Sequence, residues 1–123
     1  MIVFDASVWI AYLNRNDSQH DKATKAFAVL VGPLLLPEYI LLEVYTVLVT
    51  RVDKTHADAF LRLVTDNRDV HVLLTEEAFF LTVVATCQER RRARLSFADV
   101  ALLVLSKTHT VVTFDRALAK LIK

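Results

Sequence analysis

The chain has 123 residues, of which 54% are hydrophobic and 24% are charged, and its formal net charge is +1. Its single glycine, Gly32, excludes the glycine-rich loops with which a Rossmann fingerprint or a P-loop cradles phosphate, so no nucleotide cofactor is expected. The near-zero charge argues against a protein that coats nucleic acid by bulk electrostatics, and the length predicts one domain over residues 1–123.

The compartment is indicated by three features. The N-terminal residues carry no basic leader and Asp5 interrupts their apolar run, so a secretory signal is not expected. The lone cysteine, Cys87, cannot form an internal disulfide and fits a reducing environment. The most apolar stretch, 33–50, contains Pro37 and Glu43 and is too interrupted for a transmembrane helix. A soluble cytoplasmic protein without a membrane partner is therefore expected.

Short apolar runs of strand length alternate with longer stretches of helical periodicity. The predicted elements, in chain order, are a strand at 2–4, helices at 8–13 and 21–31, a strand at 34–36, helices at 38–52 and 56–66, a strand at 70–74, helices at 76–91 and 97–108, a strand at 111–113 and a helix at 116–122. This alternation indicates an α/β fold in which right-handed crossovers place helices on both faces of a parallel sheet.

Local signals set several of the predicted helix starts. The S/T-x-x-acid spacing, in which the first side chain accepts a backbone N–H of the last residue, occurs in three pairs: Ser18 with Asp21, Thr55 with Asp58, and Ser96 with Asp99. Pro37 suits the first position of the helix at 38–52, where a missing N–H has no cost.

Four acidic residues are predicted at the edge of the sheet where the carboxyl ends of the strands meet. Asp5 directly follows the first strand, and Asp115 follows the last predicted strand by two residues. Asp99 lies in the first turn of the helix that leads into the last strand. Glu43 lies in the second turn of the helix that leaves the second strand, about 9 Å along its axis at ~1.5 Å per residue. Because ligands of such sheets bind at this edge, we expect these four side chains to form one cluster.

Converging carboxylates repel one another unless cations neutralise them. Mg²⁺ and Mn²⁺ prefer oxygen ligands and keep coordination positions open for water and phosphate. One or two such ions can activate a water, hold a scissile phosphate and stabilise the departing oxygen. The acidic set therefore predicts a metal-dependent phosphodiester hydrolase.

Each acidic residue also has a structural explanation. Asp99 completes a capping box with Ser96, and Asp115 fits the N-cap of the last helix. Glu43 lies on a polar stripe of an otherwise apolar helix, where a solvent-facing position is the commoner explanation. Asp5 has the weakest alternative, because a carboxylate between two apolar segments has little structural reason to be there.

These residues, in this order, resemble the PIN-domain ribonucleases, and most closely the small VapC-type toxins of bacterial and archaeal toxin–antitoxin pairs. The matching segments are Ile-Val-Phe-Asp-Ala-Ser-Val-Trp-Ile at 2–10, Leu-Leu-Glu-Val at 41–44, Leu-Ser-Phe-Ala-Asp-Val-Ala at 95–101 and Val-Thr-Phe-Asp-Arg at 112–116. Each motif is weak alone, but the four stand in register and span essentially the whole chain.

The resemblance implies that Asp5, Glu43, Asp99 and Asp115 are catalytic and bind Mg²⁺ or Mn²⁺. The implied reaction is endonucleolytic hydrolysis of single-stranded or looped RNA. Supporting hydroxyls are implied at three positions: Ser7, Ser96 and Thr113. The implied partners are a second copy of the chain, in a homodimer, and a cognate antitoxin whose segment covers the acidic cleft.

The fold implied is a PIN-like three-layer α/β/α sandwich with about seven helices. Many relatives continue past the last acidic motif into a fifth strand, whereas this sequence stops eight residues after Asp115. We therefore expect a four-stranded parallel sheet in the order 3-2-1-4.

A basic run precedes the third acidic motif, and it consists of Arg90, Arg91, Arg92 and Arg94. If the run lies near the carboxylate edge, it can grip RNA phosphates on either side of the cut. The structural alternative is a solvated helix end at which cations offset the C-terminal dipole. Both interpretations are compatible with the sequence.

The apolar content is high for a monomer. The helix at 38–52 is apolar over most of its circumference, which exceeds what contact with a sheet requires. Four aromatic residues have helical spacing within apolar runs, which favours packing over stacking on bases: Trp9, Tyr12, Tyr39 and Tyr45. An interface with another chain is therefore expected.

Other functional classes fit less well. A receiver-type signalling domain needs an acidic pair after its first strand, where Asp5 stands alone. A haloacid-dehalogenase-like phosphatase needs a second aspartate two positions after the first, where this chain has Ser7. The alternative that stays open is a non-catalytic PIN-like module that binds RNA or protein.

Overall fold

Four short parallel strands form one sheet in the order β3-β2-β1-β4, as predicted. The strands are β1 (Ile2–Phe4), β2 (Leu34–Pro37), β3 (Val70–Leu73) and β4 (Thr110–Val112). The central strand β1 pairs Val3 with Leu35 of β2 on one side and with Val111 of β4 on the other. The computed structural model describes residues 1–90 and 94–122.

Seven helices cover the sheet in the described residues, which confirms the predicted α/β/α arrangement. They are α1 (Ala6–Leu13), α2 (His20–Ala28), α3 (Glu38–Arg51), α4 (Lys54–Asp66), α5 (Glu77–Glu89), α6 (Phe97–Leu105) and α7 (Arg116–Ile122). Helices α1, α3 and α4 pack in sequence beside β1, β2 and β3, whereas α6 packs on β4 and contacts both α5 and α7. None of the helices described is long and apolar enough to cross a membrane.

An aromatic cluster fixes β1 against the helices that follow it. The indole of Trp9 is fully buried and meets Phe27 and Phe60 edge to face, at ring-centroid distances of 5.2 and 5.5 Å. Phe4 packs in the same manner on Phe27 at 4.8 Å. Each such burial stabilises the fold by about 1.5–3 kcal/mol, so the end of β1, and with it Asp5, has a rigid position.

Two predicted helix starts are wrong, namely those assigned to Ser18 with Asp21 and to Thr55 with Asp58. Gln19 occupies the N-cap of α2 and makes no side-chain capping bond. Asp53 caps α4 by accepting the N–H of His56 at 2.7 Å. Neither helix start uses the S/T-x-x-acid spacing. A single aspartate suffices to cap α4, and α2 begins without a side-chain cap.

Three element boundaries differ from the prediction in ways that affect the acidic edge. Helix α1 begins at Ala6 because Asp5 itself is the N-cap. Pro37 ends β2 and forms the N-cap of α3, instead of opening the helix. Strand β4 ends at Val112, one residue earlier than predicted, so Thr113 belongs to the turn that follows the strand.

Candidate active site

Asp5 is the one buried charged side chain in the described part of the chain, with 8% of its surface exposed. Its Oδ1 accepts the backbone N–H of Ala6 at 2.7 Å. Its Oδ2 accepts two hydroxyls, from Thr113 at 2.7 Å and from Ser7 at 3.3 Å. A carboxylate oxygen has two lone pairs, so the two hydroxyls fill Oδ2 whereas Oδ1 retains one lone pair for a ligand.

The electrostatic state of Asp5 follows from burial and from these contacts. Removal from water raises the pKa of Asp5, because the charged form loses its hydration. The hydrogen bonds from Thr113, Ala6 and Ser7 lower the pKa and the negative charge of Asp99 raises it, with a net value above the ordinary one. A carboxylate in this state gains from a cation that replaces the lost hydration.

The turn after β4 is attached directly to Asp5 through two hydroxyls. The N–H of Phe114 donates to Ser7 Oγ at 3.2 Å, and the N–H of Asp115 donates to Thr113 Oγ1 at 3.0 Å. Each hydroxyl therefore accepts a backbone N–H of the turn and donates its own proton to Asp5. Two of the three predicted hydroxyls, on Ser7 and Thr113, lie at this carboxylate.

Asp99 occupies the first turn of α6 in a complete capping box. Its N–H donates to Ser96 Oγ at 3.1 Å, and its Oδ2 accepts the N–H of Ser96 at 3.2 Å. The structural explanation for Asp99 is thus correct, but it engages one oxygen only. The third predicted hydroxyl, that of Ser96, bonds Asp99 and not Asp5.

Glu43 lies on the exposed side of α3 and shares an electrostatic field with the two aspartates. Partial burial raises the pKa of Glu43 first, and the negative charges of Asp5 and Asp99 raise it further. Glu43 is therefore exposed to solvent, as the structural explanation expects, and its pKa also responds to the charges of both aspartates. The charge of Asp99 therefore raises the pKa of both Asp5 and Glu43.

Asp115 belongs to the same edge but has a different local role. Its Oδ1 accepts the N–H groups of Ala117 at 2.9 Å and Leu118 at 3.1 Å, which makes it the N-cap of α7. Its own N–H contacts the Thr113 hydroxyl that bonds Asp5. The backbone of the turn therefore holds Asp115 near Asp5. Asp5, Asp99 and Glu43 are called the acidic centre below.

Of the predicted basic run, the structure describes Arg90 and Arg94. Arg90 lines a cleft with Ser106 and Lys107, beyond the end of α6 that is opposite to Asp99, so the position expected for it is wrong. Arg94 is exposed and lies two residues before Ser96. Arg91 and Arg92 lie outside the described residues.

The donor set fits a hard cation. Within residues 1–90 and 94–122 the ion pairs are Lys54 with Asp58 and His56 with Asp53, so no basic side chain neutralises the acidic centre. The same residues contain no group of three His, Cys, Asp or Glu side chains already set to hold an ion. Mg²⁺ is commonly bound by one or two carboxylates with waters completing its shell, which the free lone pair of Asp5 and the unbonded oxygen of Asp99 can satisfy.

Tyr39 is a residue of this site whose polar role was not predicted. It precedes Glu43 by one helical turn on α3, and its ring stacks on Phe79 at 6.4 Å. Its hydroxyl is buried and has no hydrogen-bond partner among the described residues. Burial and the charge of Asp5 raise the pKa of Tyr39, so the hydroxyl stays protonated as a donor beside the acids. The i, i+4 spacing to Glu43 was the available sequence signal.

Comparison with known proteins agrees with this architecture. A family model described as PIN domain matches residues 2–123, and the chain belongs to the PIN domain family. No curated protein matches the sequence.

Two solved structures illustrate the likeness of the fold. VapC20 of Mycobacterium tuberculosis, described as a sarcin-ricin loop cleaving toxin, superposes with a TM-score of 0.87 at 20% identity, covering 98% of this chain and 94% of the other. FitAcB from Neisseria gonorrhoeae superposes with a TM-score of 0.66 at 13% identity, covering 99% of this chain and 93% of the other. At these identities the likeness concerns the fold.

Proposed function

We propose that the protein is a Mg²⁺- or Mn²⁺-dependent endoribonuclease that hydrolyses phosphodiester bonds in single-stranded or looped RNA. The observation that carries the proposal is Asp5, a buried carboxylate that two hydroxyls hold in place. Its charge and that of Asp99 raise the pKa of Glu43, and no described residue forms an ion pair with Asp5. Membership of the PIN domain family and the likeness of fold to a sarcin-ricin loop cleaving toxin support RNA as the substrate.

The residues divide the work by position. Asp5 and Asp99 supply the ligand oxygens, Glu43 adds negative charge from α3, and Asp115 does so from the turn after β4. When bound, the metal supplies the charge that activates a water and stabilises the departing oxygen. Ser7 and Thr113 keep Oδ2 of Asp5 occupied, so the carboxylate presents Oδ1 in one orientation.

The proposal includes a role as the toxin of a toxin–antitoxin pair in the cytoplasm. A nuclease that acts on cellular RNA needs restraint, and VapC20, which has the same fold, is described as a toxin. A cognate antitoxin segment would cover the acidic cleft and offer basic side chains to carboxylates that lack a cationic partner in the described structure. Co-purification with the product of the adjacent reading frame tests this part.

The proposal also includes a homodimer. Helix α3 packs against α1 and α4 but leaves Leu42 and Val49 57% and 40% exposed. Helix α5 buries only Val83 fully, whereas Phe80 and Leu81 on its outer side are 44% and 54% exposed. Exposed apolar side chains of this size on one helix are typical of subunit interfaces, and a second copy would cover them.

Cleavage of labelled RNA by the purified, antitoxin-free protein tests the enzymatic proposal. We expect cleavage with Mg²⁺ or Mn²⁺ and none with EDTA. The cleavage rate should fall at least about a hundredfold in Asp5→Asn and in Asp99→Asn, because each variant lacks one metal-binding carboxylate. Asp66→Asn, an equal charge change at an exposed position on α4, serves as the matched control and keeps full activity. Absence of cutting by the wild type, or full EDTA-sensitive activity in Asp5→Asn, contradicts the proposal.

A second candidate function is a non-catalytic PIN-like module that binds RNA or protein. The observation that favours it is the absence, in the described chain, of three ligands already set around an ion. Calorimetric titration with Mn²⁺ separates the two functions. Binding that disappears in Asp5→Asn supports the nuclease, and no carboxylate-dependent binding supports the module.

A further inference from the structure

One lysine, Lys22, lies beside the turn that follows β4. Lys22, in the first turn of α2, places its ammonium 4.7 Å from the centroid of the Phe114 ring. Its side chain is exposed, and it makes no ion pair with the carboxylates of the described residues. A cation at the face of an aromatic ring is attracted by the ring's negative face.

The ring that holds Lys22 is fixed to the acidic centre. Phe114 stands between Thr113 and Asp115, and its N–H donates to Ser7 Oγ, which in turn donates to Asp5 Oδ2. The cleft beside this turn is lined by Ser7, Phe114 and Asp115. The residue whose ring contacts the Lys22 ammonium is thus connected to Asp5 by two successive hydrogen bonds through Ser7.

This placement suits a phosphate contact. A free lysine must lose side-chain freedom when it binds a ligand, and contact with the Phe114 ring restricts Lys22 before binding. Because no carboxylate within residues 1–90 and 94–122 pairs with it, its charge is available to a ligand of opposite sign. RNA crossing the acidic edge would present phosphates on both sides of the scissile bond, and Lys22 lies on the β4 side of Asp5.

The geometry points to Lys22 as a residue that binds a phosphodiester of the RNA substrate flanking the scissile bond, on the side of Phe114 and Asp115. The inference rests on the proposed RNA substrate and adds a contact that the sequence patterns did not indicate. The structural alternative is that Lys22 only offsets the negative charge of Asp17 and Asp115, which line the same cleft. These roles differ in whether RNA affinity or metal affinity depends on the lysine.

RNA binding is measured with a fluorescent single-stranded RNA in the Asp5→Asn background, where RNA stays intact. Metal binding is measured separately, with Mn²⁺ alone, in the wild-type background. We expect Lys22→Ala to weaken RNA binding about 5- to 10-fold and to reduce the slope of log K against log salt by about 0.7, the loss of one phosphate contact on a single strand. Lys22→Arg retains most of the affinity, since a guanidinium also binds phosphate. Lys107→Ala, which removes an exposed lysine near Arg90, is the matched control and keeps affinity within about twofold.

A double-mutant cycle tests the role of the ring. Phe114→Leu keeps apolar bulk and removes the π-face, so it weakens RNA binding by less than Lys22→Ala and adds little to it. Unchanged RNA affinity and salt slope in Lys22→Ala, with altered Mn²⁺ affinity, overturn the inference in favour of charge compensation. If the wild type fails to cleave RNA while its RNA binding depends on Lys22, the proposed catalysis is wrong and the phosphate contact stands.

Discussion

The hydroxyl of Thr113 donates a hydrogen bond of 2.7 Å to Oδ2 of Asp5, joining residues that are 108 positions apart in the chain. The same hydroxyl accepts the N–H of Asp115. One side chain thus connects the ends of β1 and β4 and holds two acidic residues of the site in a fixed relation.

Replacement of Thr113 by valine keeps the shape of the side chain and removes both hydrogen bonds. We expect a loss of about 1–2 kcal/mol in the free energy of unfolding, because one lost bond involves a charged group and the Asp115 N–H loses its acceptor. RNA cleavage falls as well, since Asp5 loses orientation. Urea unfolding and a cleavage assay measure the two effects, and Thr113→Ser, which keeps the hydroxyl, is the control. Full activity in Thr113→Val contradicts the positioning role.

Metal binding to the acidic centre stabilises the fold. An ion present at a hundred times its Kd and bound only by the folded state adds about 2.7 kcal/mol to the free energy of unfolding. We expect Mg²⁺ and Mn²⁺ to raise the Tm of the wild type in differential scanning calorimetry and to leave that of Asp5→Asn unchanged. An equal rise in both proteins would show that the ions bind elsewhere.

The same experiment has a predicted dependence on pH. Because burial raises the pKa of Asp5, the folded state favours its protonated form, and this contribution to stability is lost as pH rises through the raised pKa. Without metal, the wild type therefore loses stability relative to Asp5→Asn as pH increases through that range. With metal bound, the wild type is expected to be more stable than Asp5→Asn as pH increases, because the ion and not a proton neutralises the Asp5 carboxylate. Tm values against pH for both proteins check this, and a metal effect that is constant from acid to neutral pH argues against Asp5 as a ligand.

The features that the sequence predicted well depend on local order. An apolar Ile-Val-Phe followed by an aspartate predicts the end of a buried strand, and β1 with Asp5 has this form. Ser96 and Asp99 predict their own capping box, because the bonds join residues only three apart. In a parallel sheet the edge that carries Asp5 then follows from topology alone.

The features that were missed depend on packing between distant segments. Phe80 contacts Phe97 at the start of both helices, and Val83 packs with Val100, so α5 and α6 run side by side in the same direction. The end of α5, and Arg90 with it, therefore lies beside the end of α6 and far from Asp99. No local periodicity indicates this side-by-side packing of α5 on α6.

Asp115 tests whether capping and catalysis can be separated. Asparagine is as good an N-cap as aspartate, whereas alanine costs about 1 kcal/mol. We expect Asp115→Asn to keep the stability of the wild type, because the N–H groups of Ala117 and Leu118 retain an acceptor. If Asp115 contributes charge to the metal site, cleavage still falls, by about tenfold or more. Unchanged cleavage in Asp115→Asn, with lower stability in Asp115→Ala, would assign this residue to the cap alone.

The outer face of α5 is expected to form the subunit interface. Leu81 is 54% exposed there, and a glutamate at this position would place a charge inside the apolar contact of the dimer, at a cost that the paired subunit cannot offset. Light scattering at micromolar concentration should give a dimer mass for the wild type and a monomer mass for Leu81→Glu, with the far-ultraviolet circular dichroism unchanged. Val31→Glu introduces the same charge at a position that is 91% exposed, in the loop before β2, and should remain a dimer. A monomer mass for the wild type contradicts the homodimer, and a dimer mass for Leu81→Glu contradicts the outer face of α5 as its interface.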